Sequence, residues 1–168
     1  MKLRCEFRTW SLCLLAATFF ACATTAPHDS CAFLTPAELE QVQGERPVET
    51  KATQEGKNQQ CFYRLPTFSK SISLSVQYDA REFWEEQVHG ERKEREEEEE
   101  HEIRAEPREI EDVGDEAKWV ATPVGGILYV LKGDAMLLIS IGGGDADAVR
   151  LEKATALARK ALRRVRGD

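Results

Sequence analysis

The chain has 168 residues, 32% of them charged, with a formal net charge of −7 at pH 7. An acidic chain lacks the clustered Lys and Arg that phosphate backbones attract, so nucleic acid is not an expected partner. With 42% hydrophobic residues and about 145 residues beyond the N-terminal segment, it supplies one core and one domain.

Lys2, Arg4 and Arg8 precede an apolar run from Trp10 to Phe20, and small residues follow. A basic head, a short apolar centre and a small-residue exit make a secretory signal. The run of about 11 residues falls short of the ~20 that a membrane-crossing helix needs. The expected organisation is a signal peptide over 1–22, a tether over 23–30 and one α+β domain over 31–168. Two cleavage sites compete. Cleavage before Cys22 leaves that cysteine for lipidation, although Phe19 and Phe20 replace the aliphatic and small residues usual there. Cleavage after Ala23 fits the A-x-A rule through Ala21-Cys22-Ala23 and yields a freely secreted form. The protein is therefore expected in the cell envelope, lipid-anchored at Cys22, or else as a soluble periplasmic or extracellular form. The signal carries three bases against Glu6, a balance of +2, which leaves −9 on the remainder.

Of five cysteines, Cys5 and Cys13 leave with the signal and Cys22 is either acylated or removed. Cys31 and Cys61 remain, an even pair in an oxidising compartment, which reads as one disulfide. The alternative is two buried free thiols.

Thr35-Pro36-Ala37-Glu38 opens a helix: Thr35 caps it, Pro36 takes the first helical position and Glu38 the third. Leu39 and Val42 give its apolar side and Gly44 stops it. Pro47 to Thr53 reads as a weak strand, residues 55–58 as a turn, and Gln59 to Leu65 as a strand with Cys61, Tyr63 and Leu65 on one face. Ser71 to Tyr78 alternates strictly, Ile72, Leu74, Val76 and Tyr78 against polar neighbours, the mark of a sheet with one wet face. A helix is expected from Ala80, with Phe83, Trp84 and Val88 packing inward. Glu91 to Glu102 then carries charge without an apolar stripe, and a solvated helical extension is expected over 91–106.

Glu116 to Thr122 reads as a strand with Trp119 and Ala121 on one face, followed by a turn from Pro123 to Gly126. Ile127 to Lys132 and Ala135 to Ile141 form a hairpin whose Gly133-Asp134 suits a type II′ turn. Both strands are apolar on both faces, which places them mid-sheet. Gly142-Gly143-Gly144 breaks the strand, and Asp145 or Asp147 caps a final helix with Leu151, Ala154, Ala158, Leu162 and Val165 along one side. The expected fold is α+β: a mainly antiparallel sheet of five to six strands with helices on one face, read as two β-β-β-α units after an N-terminal helix.

Cys31, Leu34-Thr35-Pro36-Ala37-Glu38, Gly44, Cys61-Phe62-Tyr63 and the later Val113-Gly114-Asp115-Glu116-Ala117 form a pattern. In it the chain resembles a large family of uncharacterised bacterial secreted lipoproteins, over roughly Cys31 to Val165. The resemblance implies a Cys31–Cys61 disulfide and an envelope location, and it implies no activity.

No catalytic, cofactor or metal residue is assigned. A phosphate loop at Gly142–Gly144 would face Asp145 and Asp147, and the Lys-Ser/Thr pair is missing. A Ca²⁺ loop from Asp145 would place Val149 and Ala156 at ligand positions. His28, His89 and His101 lack ligand spacing, and Ser140 lacks the flanking glycines of a nucleophile elbow. The expectation is a non-catalytic domain that binds an envelope protein or small ligand through one sheet face. The alternatives are an envelope hydrolase using carboxylates and an accessory component of an envelope assembly.

Overall fold

The computed structural model describes residues 30–86 and 107–165. Helix α1, Pro36–Gln43, begins with the expected chemistry: the Thr35 hydroxyl accepts from the Glu38 amide, and the Glu38 carboxylate accepts from the Thr35 amide. Gly44 ends it in the left-handed region, φ 75°, where a side chain would be strained. Arg164 donates to both Glu38 oxygens at 3.0 Å, which ties the start of α1 to the far end of the chain. Burial by itself would raise the Glu38 carboxyl, but bonds from Arg164 and Thr35 outweigh it and bring it from 4.5 to about 2.

Seven strands follow: β1 Glu49–Glu55, β2 Asn58–Arg64, β3 Ile72–Tyr78, β4 Arg108–Glu109, β5 Glu116–Thr122, β6 Gly125–Lys132 and β7 Ala135–Gly142. They form one sheet in the order β1-β2-β3-β7-β6-β5-β4, with every neighbouring pair antiparallel. The α+β class holds, with more strands than the five to six expected. β4 is two residues long, too short for any alternation to announce it. The weak first strand starts at Glu49, and all seven of its residues are exposed, as suits a polar sheet edge. β1–β3 and β5–β7 are two antiparallel meanders joined where Ile72 faces Ile141. β6 and β7 lie inside the sheet, as their apolarity on both faces requires.

The turns follow their glycines. Gly133 has φ 59° and Asp134 keeps a negative φ, the type II′ pattern between Lys132 and Ala135. The residues read as a turn from Pro123 to Gly126 divide differently: only Pro123 and Val124 turn, and Gly125 and Gly126 belong to β6. The reason is Trp119. A Cβ at Gly126 would lie 2.1 Å from its ring, so glycine here makes room for an indole inside a strand.

Helix α3, Asp147–Leu162, and α1 cover one face of the sheet. Beneath them Cys61, Tyr63, Ile72, Leu74, Val76, Leu128, Val130, Leu137 and Ile139 are fully buried. Each buried aliphatic side chain contributes of the order of 1.5–3 kcal/mol relative to exposure. Ala154, Ala158 and Ala161 let α3 approach closely. Neither aspartate caps it. Ala146 holds the cap position without a side-chain bond, Asp147 is the first helical residue, and Asp145 pairs with Lys153 at 2.6 Å.

Helix α2, Arg81–Trp84, lies on the other face of the sheet from α1 and α3, so the helices are not all on one face as expected. Trp84 is buried against Leu131 and Met136 while Phe83 remains 42% exposed, contrary to the inward packing expected of it. Adjacent helical residues project about 100° apart, so a helix that turns Trp84 to the sheet turns Phe83 away from it. Val88, the run Glu91 to Glu102 and the extension expected over 91–106 lie outside the described residues, as do Cys22, His28, His89 and His101.

Candidate functional site

Cys31 and Cys61 lie at disulfide distance, with their Cα atoms 5.0 Å apart. The 3-10 turn Ser30–Phe33 carries Cys31 onto β2, where the Tyr63 hydroxyl donates to the Cys31 carbonyl at 3.2 Å. The pair fits an oxidising, exported compartment. No helix among the described residues is long and apolar enough to cross a membrane.

The second face of the sheet, opposite α1 and α3, follows from the same alternation that builds the core. Phe62, Ser73, Ser140, Ile127 and Val120 stand in register as one row across β2, β3, β7, β6 and β5. Gln60, Ser75, Leu138, Tyr129 and Lys118 form the next row. The face has two characters. Over β2 and β3, Phe62 apart, it is amide and hydroxyl: Gln60 Nε2 donates to Ser73 Oγ at 3.1 Å, and Ser75 Oγ donates to Asn58 Oδ1 at 2.6 Å. Over β5–β7 it is apolar, with Ile127, Tyr129, Leu138 and Val120 all half-buried. Ser140 stands exposed at the boundary.

Trp84 closes the apolar strip at one end, anchored by its indole N–H to Glu116 Oε2 at 3.1 Å. At the opposite end of the face, over β2, Phe68, 69% exposed, tilts over Phe62 with ring centroids 6.4 Å apart. A polar strip beside an apolar one can hold a flat or extended amphipathic molecule, its polar edge on the Ser and Gln side chains. The partners of Ser73 and Ser75 are amides, which do not take up a proton as a base would.

A second constellation sits where α3 meets the sheet. Asp147 accepts from Trp119 Nε1 at 2.9 Å and from Arg108 Nη2 at 3.1 Å, with Arg150 at 3.9 Å. Arg150 is 8% exposed and donates to the Gly143 and Thr122 carbonyls at 3.4 and 3.5 Å. These groups bracket the Gly142–Gly144 turn to β5 and α3. Hydrogen bonding and charge from Lys153 lower the Asp145 carboxyl, which keeps that side chain ionised beside the glycines. The turn is glycine because a Cβ on Gly142 would come within 2.4 Å of the Ser69 carbonyl. Among the described residues no group of three or more His, Cys, Asp and Glu gathers as a metal site.

Buried Arg150 was not singled out from the sequence. Its signal was there: it stands four residues before Ala154, on the stripe that α3 buries. Ser140, set aside as a nucleophile, turns out to sit at the centre of the second face.

No family model matches the chain, and neither a curated protein nor a solved structure matches it. The class that fold and face define is an α+β protein with one seven-stranded antiparallel sheet, one face closed by helices and the other divided into polar and apolar strips.

Proposed function

We propose that this is an exported envelope protein that binds a partner protein or small amphipathic ligand through the second face of its sheet. The observation that carries this reading is the strip of half-buried Ile127, Tyr129, Leu138 and Val120 beside the hydroxyl and amide row. Apolar side chains left partly wet beside fixed polar groups gain from a ligand what the α1 and α3 face gains from its helices. The signal-like N-terminus and the cysteine pair support export, and Cys22 is the proposed lipid attachment point. The likeness to secreted lipoproteins supports the same location.

Export and anchoring are tested by fractionating cells that make the wild type or Cys22→Ser. Retention of the first with membranes and release of the second is expected, and equal release refutes the anchor. Binding is tested with a photo-crosslinking residue in place of Ser140. One adduct of defined mass is expected in the envelope, lost when Leu138→Lys is added. No adduct, or one indifferent to Leu138→Lys, removes the second face as the site.

A further inference from the structure

Five large apolar side chains among the described residues are markedly exposed: Val48, Phe68, Phe83, Val124 and Val149. The strand register places four of them at one end of the sheet, where β1, β3 and β6 begin and β2, β5 and β7 end. Val48 leads into β1, Phe68 lies between β2 and β3, Val124 turns from β5 to β6, and Val149 is in the first turn of α3. Only Phe83 lies at the opposite end, beside the Gly133-Asp134 turn that anchors Arg81.

Two tips are drawn together. A Cβ on Gly142 would meet the Ser69 carbonyl at 2.4 Å and the Val124 carbonyl at 3.6 Å, so the segments bearing Phe68 and Val124 close on one glycine. Phe68 and Val124 are 69% and 79% exposed. Charge is cancelled at this end. Residues 45–49, 64–71, 122–125 and 142–153 carry five acids and five bases, in a chain of net charge −7. Glu45 with Lys70, Glu49 with Arg64, and Asp145 with Lys153 pair within 3.0 Å.

We propose that this electroneutral, apolar-tipped end rests in the headgroup layer of a lipid bilayer, with Phe68 and Val124 inserted. Exposed apolar tips without net charge suit that layer, whereas a charged protein partner would call for complementary charge. The excess acid carried elsewhere on the chain is repelled by anionic headgroups, which favours this end over others as the contact. The inference rests on the envelope reading in needing a membrane at hand. The tether is long enough: eight residues from Cys22 to Ser30 extend up to ~29 Å. Ser30 is held to the Thr53 carbonyl, four residues along β1 from Glu49, or about 13 Å. Seated this way, the strands stand upright on the membrane and the second face opens sideways, with Phe62 and Phe68 at its foot.

The test uses the exported protein, recovered from cells in whichever form they release it, carrying Phe68→Trp, Val124→Trp or Phe83→Trp. It is titrated with vesicles of phosphatidylethanolamine and phosphatidylglycerol whose acyl chains are brominated. The native Trp84 and Trp119 are buried and give a constant background. A blue shift and loss of fluorescence for the first two variants, with no change for Phe83→Trp, is the expected result. No quenching at saturating lipid, or equal quenching at all three positions, overturns the proposal. So does protection of residues 66–70 and 122–125 from hydrogen exchange by an envelope protein in the absence of lipid. Failure of the envelope reading would appear earlier, in the fractionation, before any vesicle is added.

Discussion

The two faces of this sheet are made by the same strands, residue by alternate residue, yet they differ in kind. Leu137 and Leu138 are neighbours on β7: Leu137 is fully buried beneath the helices, and Leu138 is half-buried on the second face. On the helix side the apolar side chains run unbroken from β2 to β5. On the other side, among the described residues, Trp84 of α2 packs on Leu131 and Met136, and Tyr129 and Leu138 lie half-buried against that cluster. Apolar composition alone therefore does not make a core. Among the described residues, a strand apolar on both sides is fully buried where a helix of several turns lies on it and only half-buried where none does.

That comparison can be broken by substitution. The largest effect should come from the closed face: Trp119→Ala is expected to cost about 3–5 kcal/mol in urea unfolding. It removes a buried ring and also the indole donor to Asp147. A loss below about 1 kcal/mol would mean that the α3 bracket is not integral to the core. Next comes the pair Cys31→Ser and Cys61→Ser, expected to cost about 3–4 kcal/mol for a closed loop of 30 residues. Mass spectrometry of unreduced wild-type peptides should find the two linked, and two free thiols would refute the bond. Third, Leu138→Ala should cost only about 1 kcal/mol while Leu137→Ala costs about 2–5. Equal losses would erase the distinction between the faces.

The smallest effect is on pH dependence. Glu38 and Glu45 both fall from 4.5 to about 2; for Glu45 the causes are bonds from the Thr67 amide and hydroxyl, then Lys70. A depressed carboxyl contributes stability that is fully present above its unfolded value and lost as pH falls through the folded one. The melting temperature should therefore decline modestly between pH 4.5 and about pH 2, and Glu38→Gln should flatten part of that decline.

The parts legible in the sequence were those set by local chemistry. Thr35, Pro36, Glu38 and Gly44 specify α1 without reference to anything distant. Strict alternation marks β3, and Gly133-Asp134 marks the hairpin. What escaped depends on partners far along the chain. Gly125 and Gly126 look like strand breakers until Trp119 is placed over them. Asp147 looks like a cap until the indole and Arg108 claim its oxygens. The second face was foreseen as a wet face of β3, but its apolar strip needs the register of β5, β6 and β7, which no single window contains.

The junction of β3 with β7 carries a consequence for how the chain comes together. Ile72 pairs with Ile141, so the central seam of the sheet waits for residues almost seventy positions later. The first meander, its helix and both cysteines are complete by Tyr78, and a chain made from its N-terminus presents them first. Until β7 arrives, β3 has one edge of unpaired amides and carbonyls with Leu74 and Val76 beside it. Such a seam closes slowly and is open to pairing with another chain meanwhile. The assembly hazard of this protein thus lies at the middle of the finished sheet, while its finished edges, the exposed and polar β1 and the two-residue β4, are poor templates.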